Sequence, residues 1–551
     1  MTPAPLPCTV PALPSLRLGS IALMMSLAAS LAACGGGGGG GDSTAEPPAP
    51  APPSSSGPYT ISGKAVFESV PTRTNGTGLD YAASVDKPIR SATVQLLSAS
   101  NTVLATTVTD DSGNYSLSLA DSQAVKVRVR AEIKRTGSTR GDRDFTVLDN
   151  TSSDAIYALD SVPFTPTASI TQNLRAASGW NGTAYTTPRA AAPFALLDVV
   201  YDGQAKIATV APTVNLPSLK LFWSTNNRPV KPFNATTGAI TTSFFTTSSS
   251  GRALYVLGAA GTDTDEYDTH VIAHEFGHYL QNALSRDDSV GRSHGNGDKL
   301  DMRVAFSEGW GNAWSGIALG GPIYVDTYGA NQATSFSLDV STPATGTDRG
   351  WYSETSSQYL IWTTNQTIGF GPVYAALTGL TRSPAFSSLF SFAAAAKASS
   401  PADAATITAL WASQNIVTND AFGTGETNNG GNPLNLPVYQ TLVGTTGNFC
   451  PHAEADPRDD GNKLGEFIFF RFTASGSHPL SATKTSPAGT GVTDPDFTLL
   501  KSDGTTVEAN SGADDVELIG PLSLPTGTHS VALSDYKLAY PKTSCFDFKV
   551  N

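Results

Sequence analysis

The stretch Thr269-His270-Val271-Ile272-Ala273-His274-Glu275-Phe276-Gly277-His278-Tyr279-Leu280 decides how the middle of this 551-residue chain folds. Val271, Ile272, Phe276 and Leu280 recur at helical spacing, and the pattern predicts a helix over about 265–285. Asp263 and Glu266 have the spacing of a capping box at its start. On that helix His274 and His278 stand four apart and share one face. Their imidazole nitrogens can converge on one zinc ion at about 2.0–2.1 Å. Glu275 points beside such a metal, where a general base for a metal-activated water belongs. His270 lies one turn earlier on the same face. Three histidines at this spacing span about 12 Å and cannot share one ion. Val271 also stands where the earlier pair would need its glutamate, so His270 is read as a packing residue or one that supports a ligand. With only seven histidines in the chain, a chance match to this pattern is rare, below about 1 in 100.

A catalytic zinc takes three protein ligands and keeps one position open. The segment Ala305-Phe306-Ser307-Glu308-Gly309-Trp310-Gly311-Asn312 reads as part of a second helix, about 303–318, and offers Glu308. Gly309, Gly311 and Gly316 would let this helix lie close to the first, and Trp310 and Trp314 read as packing residues. A histidine–glutamate helix followed by a glutamate on a second helix resembles the gluzincin zinc metallopeptidases, seen in thermolysin-like enzymes. The Glu-Gly-Trp surround is most similar to the fungalysin branch. The resemblance covers the middle of the chain and implies an α+β zincin-type domain. It implies zinc held by His274, His278 and Glu308, with Glu275 as general base. Those families commonly place an aspartate four residues after the glutamate ligand, to orient a zinc-bound histidine. Here the position is Asn312, whose amide oxygen can accept from an imidazole N–H without carrying charge. Relatives stabilise the oxyanion with a histidine or tyrosine, and His294, Tyr352 and Tyr359 are the candidates. The strand Leu254–Leu257 is read as the edge on which a substrate backbone pairs. Asp287, Asp288, Asp298 and Asp301 lie between the two helices. Their carboxylates suit Ca2+, although EF-hand spacing is lacking and a solvated polar loop is the plainer reading.

The flanks read differently. Residues 58–165 alternate in strand fashion, as in Tyr59-Thr60-Ile61-Ser62-Gly63-Lys64-Ala65-Val66 and Val125-Lys126-Val127-Arg128-Val129. This region resembles the β-sandwiches of carboxypeptidase regulatory and transthyretin-like domains. Residues 166–440 mix short strands with helices, the later ones expected near 353–366 and 402–416, and form the metallopeptidase domain. Residues 445–551 return to strands. Asp494-Pro495-Asp496-Phe497-Thr498-Leu499-Leu500 and Gly527-Thr528-His529-Ser530-Val531-Ala532-Leu533 resemble the pre-peptidase C-terminal β-sandwich of secreted bacterial peptidases. The expected fold is therefore multidomain, an α+β zincin-type domain between N- and C-terminal β-sandwiches.

Residues 1–33 carry an apolar run that ends in Leu31-Ala32-Ala33 and is followed by Cys34. This resembles the signal peptide and lipobox of bacterial lipoproteins, with Cys34 the acylated residue. Residues 34–57 then form a Gly-, Pro- and Ser-rich tether. The resemblance implies an extracytoplasmic protein held by an N-terminal lipid anchor, at the bacterial outer membrane or cell surface. Cys450 and Cys545 are left for the folded body and read as one disulfide formed in an oxidising compartment. A net charge of −13, with no basic stretch, argues against nucleic acid as a partner. Together these readings point to a zinc endopeptidase acting on protein or peptide substrates. The competing class is a surface binding lipoprotein with a degenerate peptidase domain. An aminopeptidase ranks lower, because no Gly-x-Met-Glu-Asn-type motif for a free amino terminus is present.

Overall fold

The structure is a computed structural model that describes residues 58–73, 77–137, 141–295, 297–428, 435–453, 461–538 and 542–551. The signal segment, Cys34 and the tether lie outside the described residues. The molecule is multidomain and rich in β-sheet. None of its described helices is long and apolar enough to cross a membrane.

The N-terminal region packs two sheets. In one, the strand Tyr59–Ser69 pairs antiparallel with Asn114–Leu119 and Val85–Pro88, and parallel with Ile170–Thr171 and Leu174–Ala176. In the other, Ala158–Asp160, Val125–Arg130, Thr93–Ser98 and Val103–Val108 follow in order. Alternating residues such as Ile61, Ala65, Phe67, Val94, Leu96, Val127 and Val129 are buried between them, as a period of two demands of a half-buried strand.

The strands Glu132–Arg135 and Arg143–Asp149 fall inside the expected N-terminal sandwich but are built into the central sheet. There the order is Phe244–Ser248, Gly251–Val256, Leu219–Trp223, Arg143–Asp149, Glu132–Arg135. The middle three strands run parallel and the outer two antiparallel to their neighbours. One continuous apolar core therefore runs from the sandwich into the centre. The order also moves the expected substrate edge. Gly251–Val256, which holds most of Leu254–Leu257, is paired on both sides, and Phe244–Ser248 is the edge strand.

Helix α1 (Ala192–Ala208) and helix α2 (Thr269–Leu284) lie against this sheet. Phe145 of the sheet meets Phe276 and Tyr279 of α2 edge-on, at 5.9 and 6.0 Å between ring centroids. Asp263 and Glu266 do not cap α2. Asp263 belongs to the short strand Asp263–Thr264, Glu266 to a 3-10 turn, and the helix starts at Thr269. The Glu266 carboxylate is spent instead on a buried ion pair with Arg189, at 2.6 Å. Helix α3 (Met302–Leu319) is capped by Asp301, whose side chain accepts from the Arg303 N–H at 2.9 Å, and closes at Gly320 with φ +78°. It is buried from Met302 to Ile317, which explains why its sequence lacks an amphipathic stripe. Helix α4 (Glu354–Ile368) crosses α3, and α5 (Phe370–Gly379), α6 (Leu389–Ser399) and α7 (Ala404–Ser413) complete the region. The expected second helix, and those near 353–366 and 402–416, correspond to α3, α4 and α7.

In the C-terminal β region the long strands Ile468–Ser486 and Val516–Asp535 run side by side and bulge near 474–480, and residues on both sides of the bulge line one core. The disulfide joins Cys450 to Cys545 across a separation of 95 residues. Closing a loop of that length contributes up to about 4–5 kcal/mol in the chain-entropy picture.

The crossing of α2 and α3 depends on two glycines. A Cβ on Gly277 would stand 2.9 Å from Trp314 Cδ1, and one on Gly311 would stand 2.7 Å from His274 Cε1. Gly309 and Gly316 do not serve this contact. They face Ser357 and Trp362 of α4. Gly311→Ala should therefore push against His274 and destabilise the fold by about 1–3 kcal/mol, as read by urea unfolding, with Gly371→Ala in α5 as a control that meets no neighbouring atom.

Candidate metal centre

Helix geometry brings His274 and His278 together and α3 delivers Glu308 to them. His274 Nε2 and His278 Nε2 are 3.0 Å apart. Glu308 Oε2 lies 3.3 Å from the first and 3.4 Å from the second. These three residues form one of two groups of side chains among the described residues that could hold a metal ion.

The surrounding hydrogen bonds decide which imidazole nitrogen faces the cluster. Asn312 donates through Nδ2 to Glu354 Oε1 at 2.7 Å and to Gln358 Oε1 at 2.9 Å. Its Oδ1 must then accept, so His274 donates from Nδ1 at 2.8 Å. Ser307 donates to Gln281 Oε1 at 3.0 Å, which leaves its oxygen to accept from His278 Nδ1 at 3.2 Å. Both rings thus turn Nε2 towards Glu308, the arrangement in which a supporting partner orients a metal-binding histidine. Asparagine at 312 is accounted for by α4. Its amide fits between an imidazole donor and two acceptors, where an aspartate would face the Glu354 carboxylate.

The electrostatics of the cluster favour positive charge. Burial alone would raise the Glu308 carboxyl, but His294 and His278 hold it well below the usual carboxylate range. Burial works against charge on His278, yet Glu308 outweighs it and lifts that imidazole to about 9. Glu275 is buried with its carboxyl pushed above the usual range by that burial. The Phe245 N–H, on the edge strand, donates to Glu275 Oε2 at 2.7 Å.

Of the three oxyanion candidates, His294 is at the cluster. Its Nε2 lies 3.4 Å from Glu308 Oε2, and its Nδ1 lies 3.3 Å from Glu354 Oε2. Tyr352 turns its hydroxyl to the carbonyls of Thr347 and Arg349, at 3.1 and 3.0 Å, and Tyr359 packs at the fringe of the core. His270 is a packing residue. Its Nδ1 pairs with Ser315 Oγ at 3.0 Å, its ring stands edge-on to Tyr324, and burial pushes its imidazole down to about 4. Trp310 and Trp314 stack on each other inside the core, and Trp310 donates to the Gly277 carbonyl at 2.9 Å. Glu354, Gln358 and Ser307 were not singled out in the sequence. The available signal was the four-residue spacing of Glu354 and Gln358, which puts two acceptors on one helical face.

The four aspartates of the inter-helix loop are held separately. Asp287 accepts from the Ser289 N–H, Asp288 pairs with Arg286, Asp298 accepts from the Gly295 N–H, and Asp301 pairs with Arg303. The second possible metal-binding group is elsewhere, at Asp263, Asp265 and Asp326 beside the start of α2. Burial, with the charges of Asp326, Asp268 and Glu266, pushes Asp263 up to about 8. Asp265 and Asp268 are raised by burial and by neighbouring carboxylates.

No family model matches the chain, and no curated protein matches it. Among solved structures it is similar to the pre-peptidase C-terminal domain of a collagenase from Bacillus anthracis, at 7% identity. That likeness covers 20% of this chain and 94% of the other, with a TM-score of 0.15. At so low a score it bears on neither fold nor function.

Two outcomes are expected. Asn312→Asp places a second carboxylate against Glu354 and should cost about 1–3 kcal/mol, measurable in urea unfolding at pH 7. Asp263 binds its proton more tightly in the folded chain than in the unfolded one, so the stability it contributes is complete below about pH 4 and is lost as pH rises through about 8. Asp263→Asn should therefore raise the thermal midpoint by about 5 °C near pH 8.5 and flatten its fall between pH 6 and 8.5.

Proposed function

We propose that the chain is a zinc-dependent endopeptidase that hydrolyses peptide bonds of extracytoplasmic proteins. The observation that carries this reading is the spacing of His274 Nε2, His278 Nε2 and Glu308 Oε2, at 3.0–3.4 Å from one another. Tetrahedral ligands at 2.0–2.1 Å from zinc are separated by about 3.3–3.4 Å, so the three atoms fit three corners of such a site and leave the fourth open. When bound there, zinc supplies a Lewis acid for the scissile carbonyl and lowers the pKa of water.

The chain's own groups do the rest. The Phe245 N–H fixes one oxygen of Glu275 and leaves the other to take a proton from water and return it to the leaving amine. Its raised pKa suits both transfers. His294, oriented at Nδ1 by Glu354, places Nε2 beside the cluster, where it can donate to the oxyanion. Among the described residues the edge strand Phe244–Ser248 is paired with a neighbouring strand on one side only and runs past Glu275, so its open side can take an extended substrate. The lipobox-like Cys34 fits a lipid anchor at the outer membrane or cell surface, and the disulfide fits an oxidising compartment.

The test compares bound zinc and casein cleavage in wild type and Glu275→Gln. Both should hold one zinc per chain, with cleavage about 10³-fold lower in the variant. Wild type without zinc, or equal cleavage by the two proteins, overturns the proposal. Zinc in both without cleavage in either favours the binding-lipoprotein reading.

A further inference from the structure

The loop that carries His294 belongs to the central region, but much of what holds it comes from the C-terminal region. Asn462 is fully buried and donates through Nδ2 to the carbonyls of Gly291, at 2.9 Å, and Ser293, at 3.0 Å. Lys463 donates through Nζ to the same Ser293 carbonyl at 2.9 Å. It also lies 3.8 Å from Asp298, whose carboxylate accepts from the Gly295 N–H at 2.8 Å. The residues on both sides of His294 are thus fixed through one lysine. The backbone continues the contact. The Asp301 N–H donates to the Asn462 carbonyl and the Leu464 N–H to the Lys299 carbonyl, each at 2.9 Å.

Asn462 and Lys463 are themselves held, since Lys463 Nζ donates to Asn462 Oδ1 at 2.5 Å and the Lys463 N–H to Glu466 Oε2 at 2.6 Å. A loop has no helical or sheet ladder to set its course, so these bonds define where the imidazole goes. Burying an ammonium group is costly unless it is paired. Lys463 meets that cost with two carbonyl-type oxygens and a carboxylate, all of them on the His294 loop or on Asn462.

We propose that residues 461–466 are part of the catalytic apparatus, with Asn462 and Lys463 as positioning residues that set His294 against Glu308. The C-terminal region is then a working part of the site rather than an appendage. The inference rests on the peptidase reading for its effect on rate, but not for the strap itself.

Two measurements on the full-length protein test it, using Asn462→Ala and, in case that variant misfolds, Lys463→Met. The first is hydrogen exchange followed by mass spectrometry. Deuterium uptake over residues 290–295 should rise several-fold in the variants, while α2 and α3 stay protected and one zinc stays bound. The second is a double-mutant cycle on peptide hydrolysis. Each variant should lower kcat about 10- to 100-fold with KM within about 3-fold, as expected of a displaced catalytic group. On a His294→Ala background the same change should lower kcat by less than about 2-fold, because both act through one imidazole.

Unchanged uptake in both variants overturns the strap. Losses that multiply on the His294→Ala background overturn its action through His294. If wild type cleaves nothing, the peptidase reading fails, and the exchange measurement still decides whether the strap holds the loop.

Discussion

Everything at the centre of this molecule is arranged around one buried negative charge, the carboxylate of Glu308. A carboxylate removed from water costs several kcal/mol unless opposite charge or donors are brought to it. Three imidazoles meet that demand, His274 and His278 from α2 and His294 from the loop between α2 and α3. Two helices that must bring a carboxylate and two imidazoles within 3.4 Å cannot be separated by ordinary side chains. The small residues Gly277 and Gly311 at the crossing, the stacked tryptophans beside them and the burial of α3 along its length follow from that requirement.

A second carboxylate, Glu354, organises the first. One of its oxygens accepts from Asn312, which orients His274, and the other lies by His294. It couples two sides of the cluster through a single residue at the first turn of α4. Glu308 is surrounded by three imidazoles, whereas Glu354 meets the cluster through the Asn312 amide and through one of those imidazoles, His294. Asparagine at 312 is therefore part of a charge balance. A negative group there would stand beside Glu354 with no added cation among the contacts described.

The sequence was most legible where chemistry coincides with helical period. His274, Glu275 and His278 lie within one turn and a half, so their convergence needed only the rise and pitch of α2. Glu308 needed a resemblance to point to it, and its placement depends on a crossing that two glycines permit. Glu354 was not legible, because its contact with Asn312 spans 42 residues and exists only when α4 lies across α3. The proposed capping box at Asp263 and Glu266 had the right spacing, but Arg189 claims Glu266 and a sheet claims Asp263. The strand reading of residues 58–165 took in 143–149 without showing its partners, since a period of two says which face is buried but not against which sheet. That strand joins the central sheet and carries the core across the expected boundary.

The choice between a working peptidase and a degenerate one turns on what the fold sustains at its own expense. A domain kept only as a scaffold gains nothing from a buried glutamate at the centre of the protein, or from a second one, Glu275, desolvated beside it. Apolar residues of similar volume would be at least as stable in such positions. Nor would a scaffold need both rings of an i, i+4 histidine pair turned the same way by different partners, Asn312 for one and Ser307 for the other. Desolvation of this kind collects where chemistry is done. Hydrogen bonds and ion pairs hold Glu275, His294 and the three metal-ligand candidates in place. The binding-protein alternative calls for none of these buried contacts.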